Sequence, residues 1–392
     1  MKYLCAALFI SGSMIFYCAS NFLNAEESQL KIISTVRDPG NIGLSLKNEA
    51  NVAIFKGLKW LEANQRSNGS WSDTNFPALT ALAVWPFINS DYPNKGKIID
   101  KAVNFIKTFV KEDGGIYYEV PGRKGGGLKN YNTAICMTVL NATKKPEFIS
   151  IIQNARKFIA GSQHFGDDEY SGGFGYDKET HRPYTDLLNT YYAVEAMRLT
   201  QNVEDHRPDG EQKIDVNWAE TVKFIEKMQN KDKSDSENFG GFVYNPSDPK
   251  AGISTNKEGK IVFRSYGSIT YAGMLALIYA NVTKEDTRVI SALDWASKHW
   301  TLEENPGMGQ EGLFFFYNIL SKALSVANIP AIKKNNDEII DWRSELTKKI
   351  ISLQRTDENG MGYWVNDVNR YWEGDKILVT AYSLIALQFA TQ

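Results

Sequence analysis

Two carboxylates stand alone at the starts of apolar segments: Asp186 in PYTDLLNT and Asp375 in WEGDKIL. An isolated acid in such a place has two possible uses. It can cap the helix that follows, accepting the first free N–H groups at the positive end of the helix dipole. Alternatively, dry surroundings that weaken its ionisation let it hold a proton and serve as a catalytic acid. Other groups at the same kind of position suit binding better than reaction. They are Tyr131, Asn189, Tyr191, Arg264, Tyr266, Tyr271, Glu311, Tyr317 and Trp372. Aromatic faces pack against apolar ligands and stabilise organic cations, while Asn, Arg and Glu give orientation. Asp186 and Asp375 are therefore the candidate acids, and the other nine are candidate substrate-binding residues.

Several other chemistries lack their parts. Cys5 and Cys18 fall in the N-terminal apolar run, so Cys136 is the one thiol of the body. The four His (His164, His181, His206, His299) are scattered and form no ligand pair. No metal and no cofactor is expected. Gly125-Gly126-Gly127 lacks the Lys-Ser/Thr that completes a phosphate loop and reads as a turn. Arg123, Lys124, Lys129, Arg182, Arg264 and Lys376 lie near the segment starts. They could hold a diphosphate, or be solvated charges neutralised by Asp186, Glu311, Glu373 and Asp375. Lys and Arg total 44 against 46 Asp and Glu, a net charge of -2, so no broad basic face recruits nucleic acid.

The elements that position these residues repeat six times. In each repeat an amphipathic helix leads into a loop with Gly and an aromatic residue, and then into a more apolar helix. Loop glycines Gly69, Gly114, Gly172, Gly240, Gly307 and Gly360 mark the six units. In the first helices Ala102, Phe105, Ile106 and Phe109 make one apolar stripe, as do Ile54, Leu58 and Leu61, or Leu346, Ile350 and Leu353. The second helices, such as GMLALIYA and VTAYSLIAL, are apolar nearly all round. A one-sided helix covers a core and an all-round apolar helix lies within it. Two concentric layers follow, and six pairs are enough to close a ring. The expected class is all-α.

QRSNGSW (Gln65 to Trp71) and QRTDENGMGYW (Gln354 to Trp364) resemble the Gln-x-x-x-Gly-x-aromatic repeat of squalene and oxidosqualene cyclases. The same toroid serves protein prenyltransferase beta subunits and complement thioester domains. The resemblance covers about residues 50 to 390. It implies an (α/α)6 barrel of six helix pairs, with parallel inner helices whose N-termini surround one mouth. It also implies an isoprenoid or other apolar small-molecule partner in the barrel cavity. The characteristic residues of those families are missing. There is no Asp-x-Asp-Asp acid motif, the nearest acidic run being Asp167-Asp168-Glu169. Cys136 has no Asp two residues before it, and no Cys-Gly-Glu-Gln occurs. The expected function is a cyclase-like protein that binds, and as an enzyme would transform, an isoprenoid. The alternative is a non-catalytic lipid- or peptide-binding or structural module of the cell envelope.

Lys2 precedes an uncharged run to Ala25, and Glu26 and Glu27 begin a polar stretch. This reads as a secretory signal over residues 1–25, the rival being an uncleaved membrane anchor. A linker over 26–49 and a toroid domain over 50–392 complete the expected organisation. The expected location is outside the cytoplasm, in the periplasm or envelope of a bacterium.

Overall fold

The computed structural model describes residues 42–122, 127–177, 184–334 and 336–392. The segment read as a signal, and Arg123, Lys124 and Arg182, lie outside the described residues. Within them are twelve α-helices, and the first begins at Leu44, ahead of the boundary at 50. The outer helices are α1 (Leu44–Ala63), α3 (Lys95–Lys107), α5 (Ile149–Ala160), α7 (Trp218–Lys227), α9 (Thr287–Lys298) and α11 (Trp342–Ser352). The inner helices are α2 (Pro77–Ile88), α4 (Lys129–Ala142), α6 (Leu187–Leu199), α8 (Gly267–Tyr279), α10 (Leu313–Val326) and α12 (Lys376–Ala390). Short antiparallel strand pairs decorate the loops, the longest being β1 (Ile253–Thr255) with β2 (Ile261–Phe263).

Burial follows the polarity of each helix. On α3 the buried positions are Ile98, Ala102, Val103, Phe105 and Ile106, one stripe. On α8 every residue except Ile278 is buried. Each inner helix packs on its two inner neighbours, and α12 packs on both α10 and α2. That last contact closes the ring. Outside it, α11 packs on α1. The fold is an alpha-alpha toroid.

The loop motif acts as a staple between units. Gln65 donates from Nε2 to the Gly69 carbonyl (3.1 Å) and to the Ile98 carbonyl of the next outer helix (3.0 Å). Gln229 does the same to Gly240 (2.8 Å) and Arg288 (2.8 Å). Gln163 bonds Gly172 (3.0 Å) and Asn217 (3.0 Å). Gln354, in the sixth unit, reaches Ala53 in the first at 2.8 Å. The glycine is required because the loop lies on the next helix. A Cβ on Gly240 would sit 2.1 Å from the Ser291 carbonyl oxygen, and its φ of 87° is left-handed.

The aromatic residue closes the staple. Trp71, Phe174, Phe242 and Trp364 are fully buried. Each receives its main-chain geometry from a threonine in the first turns of the inner helix. The N–H groups of Trp71, Phe174, Phe242 and Trp364 donate to Thr80, Thr190, Thr270 and Thr380 at 3.0–3.1 Å. The starts of α2, α6, α8 and α12 are thereby each fixed beside their loop.

Candidate functional site

A cavity of about 280 Å³ opens at one mouth of the ring. Ligand sites span about 300–1,000 Å³, so it lies at the small end. Ten aromatic residues line it, seven of them tyrosines. The polar lining is sparse: Lys250, Ser268 and Asn305 beside the tyrosine hydroxyls. Leu79, Leu188, Ile269 and Leu378 fill the space between rings.

Three tyrosines from three inner helices form the floor. Tyr131, Tyr192 and Tyr382 come from α4, α6 and α12, and all three line the cavity. The rings of Tyr131 and Tyr192 meet edge to face at 5.0 Å. Burial raises the Tyr131 phenol to about 12 and carries Tyr192 and Tyr382 well above the ordinary value. These groups stay neutral and serve as hydrogen-bonding, π-rich surface. Below the floor, Tyr191 donates to Glu195 (2.9 Å), which also pairs with Lys322 (2.9 Å).

Two carboxylates stand behind the walls. Asp186 is fully buried and caps α6, accepting from the Asn189 main-chain N–H (2.8 Å) and from Asn189 Nδ2 (2.7 Å). Burial raises its pKa to about 6, against hydrogen bonding from Asn189 and the Tyr244 hydroxyl that favours the anion. Its charge is felt by the phenols of Tyr176, Tyr244 and Tyr266, all of which line the cavity. Asp186 itself does not line it. Glu373 is also fully buried. It accepts from the N–H groups of Phe314 (3.2 Å) and Phe315 (2.7 Å) at the start of α10, and from Asn366 Nδ2 (2.7 Å). Burial raises it to about 7, again against those donors.

Glu373 also sets the rim. The two residues before it, Tyr371 (φ 56°) and Trp372 (φ 68°), are both left-handed, which costs a bulky L-residue roughly 1–2 kcal/mol each. The capture of Glu373 by the α10 N-terminus offsets that strain. The consequence is a pair of half-exposed aromatic rings at the cavity entrance, Tyr371 at 44% and Trp372 at 43%. Trp372 meets Phe76 edge to face at 4.8 Å, joining the sixth unit to the first across the mouth.

The structure gathers some of the sequence candidates and separates others. Tyr131, Tyr266 and Trp372 line the cavity. Asn189 positions Asp186. Asp375 is half-buried, caps α12 through Ile377 N (2.7 Å) and receives the Ser72 hydroxyl. Tyr191 lies below the floor. Tyr271 packs on Phe316 (5.9 Å between rings), and the Tyr317 hydroxyl donates to the Leu302 carbonyl (2.5 Å). Arg264 is exposed, and Glu311 faces Arg370 at 3.8 Å on the rim. None of these last four lines the cavity. Tyr176, Tyr192, Tyr244, Tyr371, Tyr382 and Lys250 were missed as cavity-lining residues. A signal existed for two of them: SGGFGY and FGGFVY place Tyr176 and Tyr244 at the same step of two loops. No cluster of His, Cys, Asp and Glu suited to a metal ion occurs among the described residues.

No known protein family's sequence profile matches the chain. No characterised protein matches it in sequence either. Solved structures do share its fold. The type II terpene cyclase MstE from Scytonema, without ligand, is similar at 12% identity with a TM-score of 0.53, covering 87% of this chain and 98% of that one. The same enzyme bound to its substrate geranylgeranyl dihydroxybenzoate gives 12% and 0.52, covering 89% and 99%. A GH76A alpha-1,6-mannanase from Salegentibacter gives 13% and 0.51, covering 88% and 98%. At such identities the likeness establishes the alpha-alpha toroid fold, shared by a cyclase and a mannanase, and leaves the chemistry to the site.

Proposed function

We propose that this protein binds an apolar, isoprenoid-like molecule in the mouth cavity. The observation that carries the reading is the lining: ten aromatic residues with only one charged side chain, Lys250, among them. A sugar-binding cleft would need polar groups converging on hydroxyls, and this lining offers few. That MstE, a protein of the same fold, takes a geranylgeranyl substrate supports the reading.

Binding is favoured over acid catalysis by the position of the acids. Asp186 and Asp375 both point into helix starts, and neither lines the cavity. Protonating an alkene requires a strong acid directed at the ligand, and neither is so placed. The second reading, a cyclase-like enzyme, rests on Asp186. A proton leaving it could enter the cavity through Tyr244. Incubating the chain and its Asp186→Asn and Asp375→Asn variants with squalene or a prenyl alcohol separates the two. The proposal predicts that all three bind equally and that none yields a cyclised product. Product formed by the wild type and lost in Asp186→Asn would establish the enzyme.

Export to a bacterial envelope is part of the same proposal, supported by the uncharged run before Glu26. Among the described residues no helix is long and apolar enough to cross a membrane. Cell fractionation checks the export; the chain found in the cytosol with residues 1–25 intact would contradict it.

A further inference from the structure

The cavity already holds an ammonium group on one of its faces. Lys250 Nζ lies 4.8 Å from the ring centroid of Tyr244, both residues lining the cavity. Its charge is balanced by Asp248 at 2.9 Å. At the rim, the Arg370 guanidinium lies 5.1 Å from the ring centroid of Tyr371. Two cavity tyrosines are thus used by the chain itself as cation-binding faces.

The charges behind the walls have the same bias. Asp186 and Glu373 are buried against hydrogen-bond donors, and neither has an ion-pair partner among the described residues. The phenols that separate them from the cavity feel both: Tyr176, Tyr244 and Tyr266 feel Asp186, and Tyr382 feels Glu373. The helix N-termini, which would otherwise favour an anion, are in part already occupied. Asp186, Glu373 and Asp375 fill the positive ends of α6, α10 and α12. An anionic ligand would face the field of Asp186 and Glu373 across those phenols. A neutral one would gain only contact area. A cation with a diffuse, weakly hydrated charge gains from the π-faces and from the field as well.

We infer that the ligand of this cavity carries an organic cation, a quaternary ammonium centre on an apolar frame. The inference rests on the reading of the cavity as a site for an apolar guest and adds the charge of that guest. The quaternary centre suits the lining because it needs no hydrogen-bond acceptor, and the cavity presents few. Lys250 then has a second role. It is a like charge at the entrance, and it covers the Tyr244 face that the ligand would use.

Choline and 3,3-dimethylbutan-1-ol test this directly. They have the same shape and hydroxyl, and differ in having nitrogen or carbon at the branched centre. In calorimetric titrations of the intact chain, choline is expected to bind at least about tenfold more tightly than the alcohol. The Lys250→Met variant is expected to tighten choline several-fold, and to tighten it more than it tightens the alcohol. Equal or tighter binding of the alcohol overturns the cationic preference and leaves the apolar site standing. Choline binding indifferent to Lys250→Met places choline outside the cavity and overturns the inference. Binding of neither probe removes the inference together with the apolar site.

Discussion

Asp186 has different hydrogen-bond needs in its two protonation states. Ionised, it accepts two bonds from Asn189. Protonated, it must also donate. The buried Oδ1 of Asn189 has no partner, and a half-turn of that amide would present it to the Asp186 proton. Burial raises the carboxyl from 3.8 to about 6, so the folded chain holds the proton more tightly than the unfolded chain does. The sign follows: its contribution to stability is complete below about pH 4 and is lost as pH rises through about 6. Asp186→Asn keeps a capping side chain and removes the ionisation. Relative to the wild type, the variant should gain on the order of 3 kcal/mol between pH 4 and 7, read from urea midpoints at each pH. A difference that stays constant across that range would contradict the account. Glu373 acts in the same direction, with its loss extending through about pH 7. The single acids at helix starts were legible in the sequence, as were Tyr131 and Tyr266, but which other tyrosines face the cavity was not. Tyr191 and Tyr192 are consecutive, and the helical turn of about 100° per residue sends one below the floor and the other into it. Tyr382 sits in a segment apolar on every side, where no stripe marks the cavity face.

At the scale of elements, the staples and one buried ion pair hold the helices in place. Removing Gln229 leaves the Gly240 and Arg288 carbonyls without their shared donor. Gln229→Ala should cost about 1–3 kcal/mol in chemical denaturation, and a change below 0.5 kcal/mol would contradict the staple. Arg156, 1% exposed on α5, donates to Glu204 (2.8 Å), Thr200 (2.9 Å) and the carbonyls of Met197 (2.6 Å) and Ile214 (2.7 Å). It ties the connection after α6 onto the outer layer. Arg156→Ala leaves Glu204 buried with Arg207 as its remaining ion-pair partner, and should cost about 3–5 kcal/mol, measured the same way. The alternation of one-sided and all-round apolar helices made these pairs legible, and two of the Gln motifs could be read. Gln163 and Gln229 were hidden because their loops differ in length. The partner of each staple lies some 33 to 301 residues away, beyond any local pattern.

The whole molecule is a ring, and a ring has no spare end. In an open array, loss of a terminal unit removes one interface. Here α12 contacts both α10 and α2, and Gln354 bonds Ala53. A chain ending at residue 341 would expose two apolar inner faces together. It is expected to lose its cooperative thermal transition, and calorimetry showing a single sharp transition near the wild-type temperature would contradict closure. The ring was legible because six units recur. The cavity was not, since its size depends on how far ten aromatic side chains fall short of meeting at the axis.

That void is the basis for the functional account, and native mass spectrometry with a prenyl alcohol tests it most directly. The wild type is expected to take up one molecule per chain. Leu188→Trp, which fills the cavity from its wall, is expected to abolish uptake while keeping the fold. No uptake by the wild type, or uptake that Leu188→Trp leaves unchanged, would contradict the account.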